Sequence, residues 1–190
     1  MSKEMKQSIE QKFGEYVFSL RNFKYIDSLS EETNCFTASL YVNGQKFGFC
    51  KNSGRGGSTD ITILPTCREL GKTITEFLVG HPKVKCLEFD FDITLDFEYI
   101  VDILVEETLK AQDKARVMRM TVKNLVFKDK EGNYYKINWK GHNIIELVSH
   151  ESYRQTIRTV ILRESNKGST LVNENIPKEL LPVNKQDNKT

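Results

Sequence analysis

A chain of 190 residues, 38% of them hydrophobic and 28% charged, has the composition of a globular domain that can bury a core. Its formal net charge of +2 excludes the global excess of positive charge that by itself indicates nucleic-acid binding, so an electrostatic binding site must be local. No stretch reaches the ~20 apolar residues of a membrane span, and the first residues lack the apolar core of a signal peptide. We therefore expect a cytoplasmic protein with no membrane partner.

The four cysteines, Cys35, Cys50, Cys67 and Cys86, include no C-x-x-C pair that would indicate zinc binding or thiol redox chemistry. We expect free thiols in a reducing compartment. The sequence predicts no bound metal and no cofactor.

In chain order, residues 2–14 carry Met5, Ile9 and Phe13 at a spacing of four, which predicts a short amphipathic helix. Aromatic and β-branched residues from Tyr16 to Ile26 predict the first strand. Strict alternation between residues 36 and 42 predicts a second strand with one buried face. Together they begin a sheet.

A tight turn follows at Asn43-Gly44, because these residue types accept the positive φ angles of a type I′ turn. Phe47 and Phe49 then alternate with smaller residues, which places both rings on one face of the next strand. Another strand follows the segment "NSGRGGS", so the region predicts a three-stranded antiparallel meander.

Further along, helical spacing predicts a helix over residues 66–79, with Thr66 as its N-cap, and a long helix from Leu95 to Met120. A second hairpin turns at Gly132-Asn133, residues 144–153 favour a helix, and a last strand is predicted from Thr156. The composition from residue 165 onward is polar, typical of a poorly ordered tail.

The segment "NSGRGGS" is the candidate binding loop. Consecutive glycines allow backbone N–H groups to converge into a concave anion-binding nest, and an arginine adds a bidentate donor for phosphate or carboxylate. The alternative is that the glycines serve only a tight turn or a bulge. The loop is not a Walker A motif, because Gly-Lys-Ser/Thr is absent and a strand follows. The predicted ligand-binding residues are Asn52, Gly54, Arg55, Gly56, Gly57, Lys46 and Lys51.

The segment "LEFDFD" raises a second hypothesis. Glu88, Asp90 and Asp92 would share one face of a strand, where three carboxylates can hold magnesium for phosphodiester hydrolysis. Against this, Asp92 and Thr94 lie where the long helix is expected to start, so helix capping explains part of the set.

The pattern from Phe36 to Leu109 resembles a group of uncharacterised proteins from bacteriophages, prophages and mobile elements. The resemblance rests on an "NG-K-x-G" hairpin, an "N-x-G-x-G-G" loop and the helix sequence "VDILVE". The matching residues are Asn43, Gly44, Lys46, Gly48, Asn52, Gly54, Gly56, Gly57, Val101, Asp102, Leu104, Val105 and Glu106. The resemblance implies a small accessory protein made during infection, in the host cell cytoplasm, and implies no activity.

These observations predict a single α+β domain over residues 1–164, with a mainly antiparallel sheet of about six strands, one long helix packed on one face, and a tail over 165–190. The favoured function is a non-enzymatic binding protein whose loop 52–58 engages a nucleic acid, a nucleotide or an acidic host protein. The alternatives are a metal-dependent phosphodiesterase or nuclease that uses Glu88, Asp90 and Asp92, and a structural or virion-associated protein.

Overall fold

The structure, a computed structural model, describes residues 9–85 and 92–181. The chain divides into two compact units, Met1–Lys110 and Ala111–Thr190. The single domain over 1–164 stays a prediction. The boundary falls inside a continuous helix. A division of this kind leaves no glycine- or proline-rich linker, which is the signal by which a sequence usually reveals two units.

The first unit contains a five-stranded antiparallel sheet in which each strand pairs with the next along the chain. The strands are β1 (Glu10–Phe13), β2 (Tyr16–Tyr25), β3 (Phe36–Val42), β4 (Gln45–Asn52) and β5 (Asp60–Ile63). The predicted meander is therefore confirmed, and its first turn is as predicted, with φ of 46° at Asn43 and 78° at Gly44. Main-chain pairing in a meander needs only short connections.

The described part of this unit also contains helix α1 (Arg68–Gly80), the short paired strands β6 (Val84–Lys85) and β7 (Asp92–Ile93), and the start of helix α2 (Phe97–Thr121). The Thr66 cap is wrong, since a 3-10 turn over Pro65–Cys67 precedes α1 and no side chain caps the helix. The helix predicted over 2–14 is also wrong where the structure describes it, because residues 10–13 pair with β2 as a strand.

The core of the first unit lies on one face of the sheet. Phe18, Leu40 and Phe47 of the sheet are at most 1% exposed. Against them pack residues of α1 and of the first turns of α2, among them Ile74 and Leu104. The expected single long helix on one face is wrong: two helices share this role, and α2 continues beyond this core.

The second unit begins within α2 and contains β8 (Leu125–Lys128), β9 (Tyr134–Ile137), α3 (Ile144–Ser149), α4 (Glu151–Asn166) and β10 (Thr170–Leu171). The strands form a separate three-stranded sheet in the order β10-β8-β9. The predicted sheet of about six strands is thus corrected to a five-stranded sheet and two smaller ones. The second hairpin is confirmed, but of the predicted turn pair only Gly132 has a positive φ, at 93°, and its N–H closes a turn onto the Asp129 carbonyl.

The strand predicted from Thr156 is wrong, because this segment lies in α4. Its β-branched residues favour a strand locally. Ile157, Ile161 and Glu164 nevertheless recur at helical spacing and are all buried, so packing on one helix face overrides the local preference.

The described part of the predicted tail is folded against the second unit. Ile176 and Leu180 are buried in its core, and Asn173 accepts a hydrogen bond from the backbone N–H of Val126 at 2.7 Å. Among the described residues, no helix is long and apolar enough to cross a membrane.

Candidate functional site

A β-bulge in β4 decides which of its side chains face outward. Tyr41 pairs with Lys46 and Leu40 pairs with Gly48, so Phe47 is an extra residue in the strand. Phe47 is therefore buried, at 1% exposed, whereas Phe49 is 47% exposed on the opposite face. The prediction that both rings share one face is wrong for this reason.

The face of the five-stranded sheet opposite to its core is rich in lysine and arginine. Residues that pair directly across antiparallel strands lie on the same face, so the strand register gives its composition. We call this surface the basic face. Its charged and aromatic residues are Lys12, Arg21, Lys24, Lys46, Lys51, Glu10, Asp60, Tyr41 and Phe49.

All five cations of the basic face are exposed, and two carboxylates accompany them. The ion pair between Lys51 and Asp60, at 3.7 Å, is solvent-exposed and therefore weak. A chain whose formal net charge is only +2 thus concentrates positive charge on one sheet face, as a local electrostatic site requires.

Two of the cations lie against aromatic rings of the same face. The guanidinium carbon of Arg21 is 4.2 Å from the ring centre of Tyr41, and the ammonium nitrogen of Lys46 is 4.1 Å from that of Phe49. Both distances are typical of cation–π contacts. The two pairs combine a flat apolar surface with positive charge.

The candidate loop joins β4 to β5, and the buried side chain of Asn52 organises it. The Asn52 Oδ1 atom accepts hydrogen bonds from the Gly54 N–H and from the Thr33 hydroxyl, both at 2.9 Å. Its Nδ2 atom donates to the Gly57 carbonyl at 2.9 Å and to Thr59 Oγ1 at 3.3 Å. One amide therefore holds both ends of the loop.

At two of the three glycine positions of the loop, the backbone conformation and the nearby atoms favour glycine over any other residue. Gly54 has φ of +83°, and a Cβ there would collide with the Leu29 carbonyl; Gly56 has φ of +80°, and a Cβ would collide with the Glu32 carboxylate. A Cβ added at Gly57 would meet no atom within 4 Å, so space does not require a glycine there. The N–H groups of Gly54 and Gly56 already donate to Asn52 and Thr33, so these two donors of the predicted anion nest are used within the protein.

The structure brings together only part of the predicted set. Arg55 is exposed in the loop, and Lys51 immediately precedes the loop on β4. Lys46 lies six residues before Asn52, near the other end of β4, which is about 20 Å along an extended strand. Lys46 and Lys51 both belong to the basic face, so this face, more than the loop, unites the predicted lysines.

A cleft of about 330 Å³ lies between the loop and α2. Glu98, Asp102 and Glu106 line it, at a spacing of four that places them on one face of α2. The Thr59 hydroxyl donates to Asp102 at 2.8 Å, and the Thr59 N–H donates to Glu98 at 2.9 Å. The charged residues that line this cleft are all acidic.

The titration of nearby groups reflects their burial first and the neighbouring negative charges second. Partial removal from water raises the pKa of Asp102 against the opposing hydrogen bond from Thr59, and Glu98 adds to the rise. Burial, followed by the Asp102 charge, raises the pKa of the Cys50 thiol to about 12. A phosphate would be repelled from the cleft side of the loop.

Of the three carboxylates in the predicted magnesium site, the structure describes only Asp92. Glu88 and Asp90 lie outside the described residues, and Asp92 is exposed on β7. The expected capping by Asp92 and Thr94 is wrong, because Asp96 Oδ1 accepts the Tyr99 N–H at 2.8 Å at the start of α2. In the described part of the chain, no group of three Asp, Glu, His or Cys side chains is arranged to hold a metal ion.

Sequence reasoning missed Arg21, Lys24, Tyr41 and Phe49 as candidate site residues. Strand alternation would have placed Arg21 and Tyr41 opposite to the buried positions of β2 and β3. No sequence pattern marks the bulge, so the outward orientation of Phe49 could not be read from the chain.

No protein-family model, curated protein or solved structure matches this chain. The resemblance to bacteriophage and mobile-element proteins stays a prediction.

Proposed function

We propose that this protein is a non-enzymatic binding protein that engages a phosphate-bearing partner through its basic face. The observation that carries the proposal is the group of five exposed cations on one sheet face of a chain with little net charge. Lysine and arginine side chains bind phosphates, and clustered positive charge also speeds the encounter with a polyanion.

The loop has a supporting role in this proposal. Its N–H groups at Gly54 and Gly56 have partners within the protein, so a phosphate meets the side chains of Lys51 and Arg55 instead of a backbone nest. The hydrogen bonds of Asn52 keep the loop in one conformation, which reduces the ordering that binding requires. The acidic cleft repels phosphate, so the proposed ligand contacts the side of the loop that faces away from the cleft.

The wider context rests on sequence alone. We keep the proposal of a bacteriophage-type accessory protein of the host cytoplasm because of the "NG-K-x-G" and "N-x-G-x-G-G" patterns. The phosphodiesterase and virion-component alternatives stay predictions, and the described contacts of Asp92 do not favour the former over binding.

The first experiment measures binding of labelled oligonucleotides, single-stranded and duplex, by fluorescence anisotropy at low salt. We expect the double variant Lys46→Gln/Lys51→Gln to weaken binding of both by about tenfold, because two phosphate contacts are lost. The matched control Lys72→Gln/Lys110→Gln removes the same charge from exposed positions on α1 and α2 and should bind like the original protein.

Two results would contradict the proposal. The first is an absence of binding to any oligonucleotide by the unaltered protein at low salt. The second is an equal loss of affinity in both double variants, which would attribute binding to net charge and not to the basic face.

A further inference from the structure

The basic face carries two aromatic rings in addition to its cations, and this combination narrows the class of partner. Phe49 leaves 47% of its surface exposed, which is unusual for a phenylalanine in the central part of a sheet. Tyr41 is partly exposed. Phosphate binding alone does not explain the exposed rings, because an aromatic ring does not attract an anion.

The two rings lie close enough to act together. Phe49 pairs with Ser39, and Tyr41 is two residues further along the same strand, so the rings are diagonal neighbours. Such neighbours are separated by about 7–8 Å. Each ring also lies next to a serine in the strand register, Tyr41 beside Ser19 and Phe49 beside Ser39, so a small side chain borders it on one side.

Each ring is flanked by a cation and retains a second face. Arg21 covers one side of the Tyr41 ring and Lys46 one side of the Phe49 ring. A nucleobase is flat and can stack on the second face, while the adjacent cation meets the phosphate that follows the base. Lys24 and Lys51 continue the positive charge in the next row of the sheet, towards the loop.

Unpaired bases fit this arrangement, and paired bases do not. In an undistorted duplex the bases stack on one another and expose only their edges in the grooves, so their flat faces are not available to the rings of Tyr41 and Phe49. In a single strand the bases can splay out and stack on aromatic residues, whereas the phosphates remain available to lysine and arginine.

We infer that the basic face binds single-stranded nucleic acid, with bases stacked on Tyr41 and Phe49 and phosphates bound by the surrounding lysines and Arg21. The inference rests on the proposed function and names the partner class for the same surface. Stacking tolerates any base, so the strand is bound without strong sequence preference.

The test compares a labelled single strand with the duplex of the same sequence, in DNA and in RNA, and with polyglutamate as an acidic protein surrogate. We expect the single strand to bind at least tenfold more tightly than the duplex. Phe49→Ala should weaken single-strand binding on the order of tenfold and leave duplex binding unchanged, while Phe49→Trp should preserve both. Leu70→Ala, which removes an exposed apolar side chain from α1, is the matched control and should have no effect.

A direct contact is tested on the unaltered protein by ultraviolet cross-linking to an oligonucleotide that contains 5-iododeoxyuridine. We expect peptides with Tyr41 or Phe49 to carry the cross-link. Cross-links confined to other peptides would overturn the inference even if Phe49→Ala fails to fold.

The outcomes separate this inference from the proposed function. Equal affinity for single strand and duplex, with loss of both in Lys46→Gln/Lys51→Gln, overturns the single-strand inference and leaves phosphate binding standing. Binding of polyglutamate as tight as that of the oligonucleotide overturns it in favour of an acidic protein partner. Failure of every polyanion to bind overturns both.

Discussion

At the scale of single residues, Asn52 determines the shape of the loop between β4 and β5. Only 9% of the residue is exposed, and its amide makes four hydrogen bonds within the protein. These bonds reach Thr33, Gly54, Gly57 and Thr59. Buried polar groups cost free energy when they lose their partners. The loop is therefore fixed from within, and its exposed residues are those that contact solvent or a ligand.

Asn52→Ala tests this role. We expect the free energy of unfolding of the first unit to fall by about 2–4 kcal/mol, because several buried donors and acceptors lose one partner together. Hydrogen exchange at the Gly54 amide should become faster. Ser53→Ala, an exposed neighbour in the same loop, should change stability by less than about 0.5 kcal/mol. Equal effects of the two substitutions would show that the Asn52 amide does not organise the loop.

At the scale of secondary-structure elements, buried polar groups position helices as well as loops. The side chain of Glu164 in α4 is buried, and its residue is 3% exposed. It accepts hydrogen bonds from Arg163 at 2.8 Å, from Lys167 at 3.1 Å and from the Tyr135 hydroxyl of β9 at 3.0 Å. Burial opposes its charge, but the bonds from Lys167, Arg163 and Tyr135 prevail and lower its pKa.

The lowered pKa of Glu164 determines how this residue changes the stability of the fold with pH. A lowered pKa means that Glu164 stabilises the fold above its ordinary value of 4.5 and loses this contribution as the pH falls through the folded pKa. We expect Glu164→Gln to reduce the free energy of unfolding by about 1–3 kcal/mol at neutral pH. The difference from the original protein should shrink in acid, as measured by urea denaturation at a series of pH values.

Glu151→Gln is the control on the same helix, because its side chain is 89% exposed and pairs only with Arg154 at 3.5 Å among the described residues. It should change stability by a few tenths of a kcal/mol at most. A Glu164→Gln effect that stays constant between neutral and acidic pH would contradict the assigned ionisation.

At the scale of the whole molecule, the sequence predicts the features that a few residue types determine and misses those that packing determines. Asn43-Gly44 fixes its turn because few other residue pairs accept two positive φ angles. The bulge at Phe47 has no such signature, since it follows from packing against the core. Thr156 and its neighbours favour a strand locally, and only burial of Ile157 and Ile161 makes the segment a helix.

The candidate site shows the same limit. The glycine pattern predicts the loop, and Lys46 and Lys51 are predicted as ligand-binding residues, although Lys46 lies near the other end of β4. Their common location on the basic face depends on strand register, which one sequence does not display. Strand alternation indicates that Arg21 faces outward, but only the register places Phe49 beside it, in one row with Ser39.

The most direct test of the central claim is the salt dependence of single-strand binding. For an electrostatic face, the logarithm of the affinity falls linearly with the logarithm of salt concentration, by about 0.7 for each phosphate bound on a single strand. We predict a slope between about −2 and −4 for the original protein, smaller in magnitude by about 0.7 in Lys24→Gln and unchanged in Lys72→Gln. A slope near zero, or equal slopes in the two variants, would contradict binding of phosphates by the basic face.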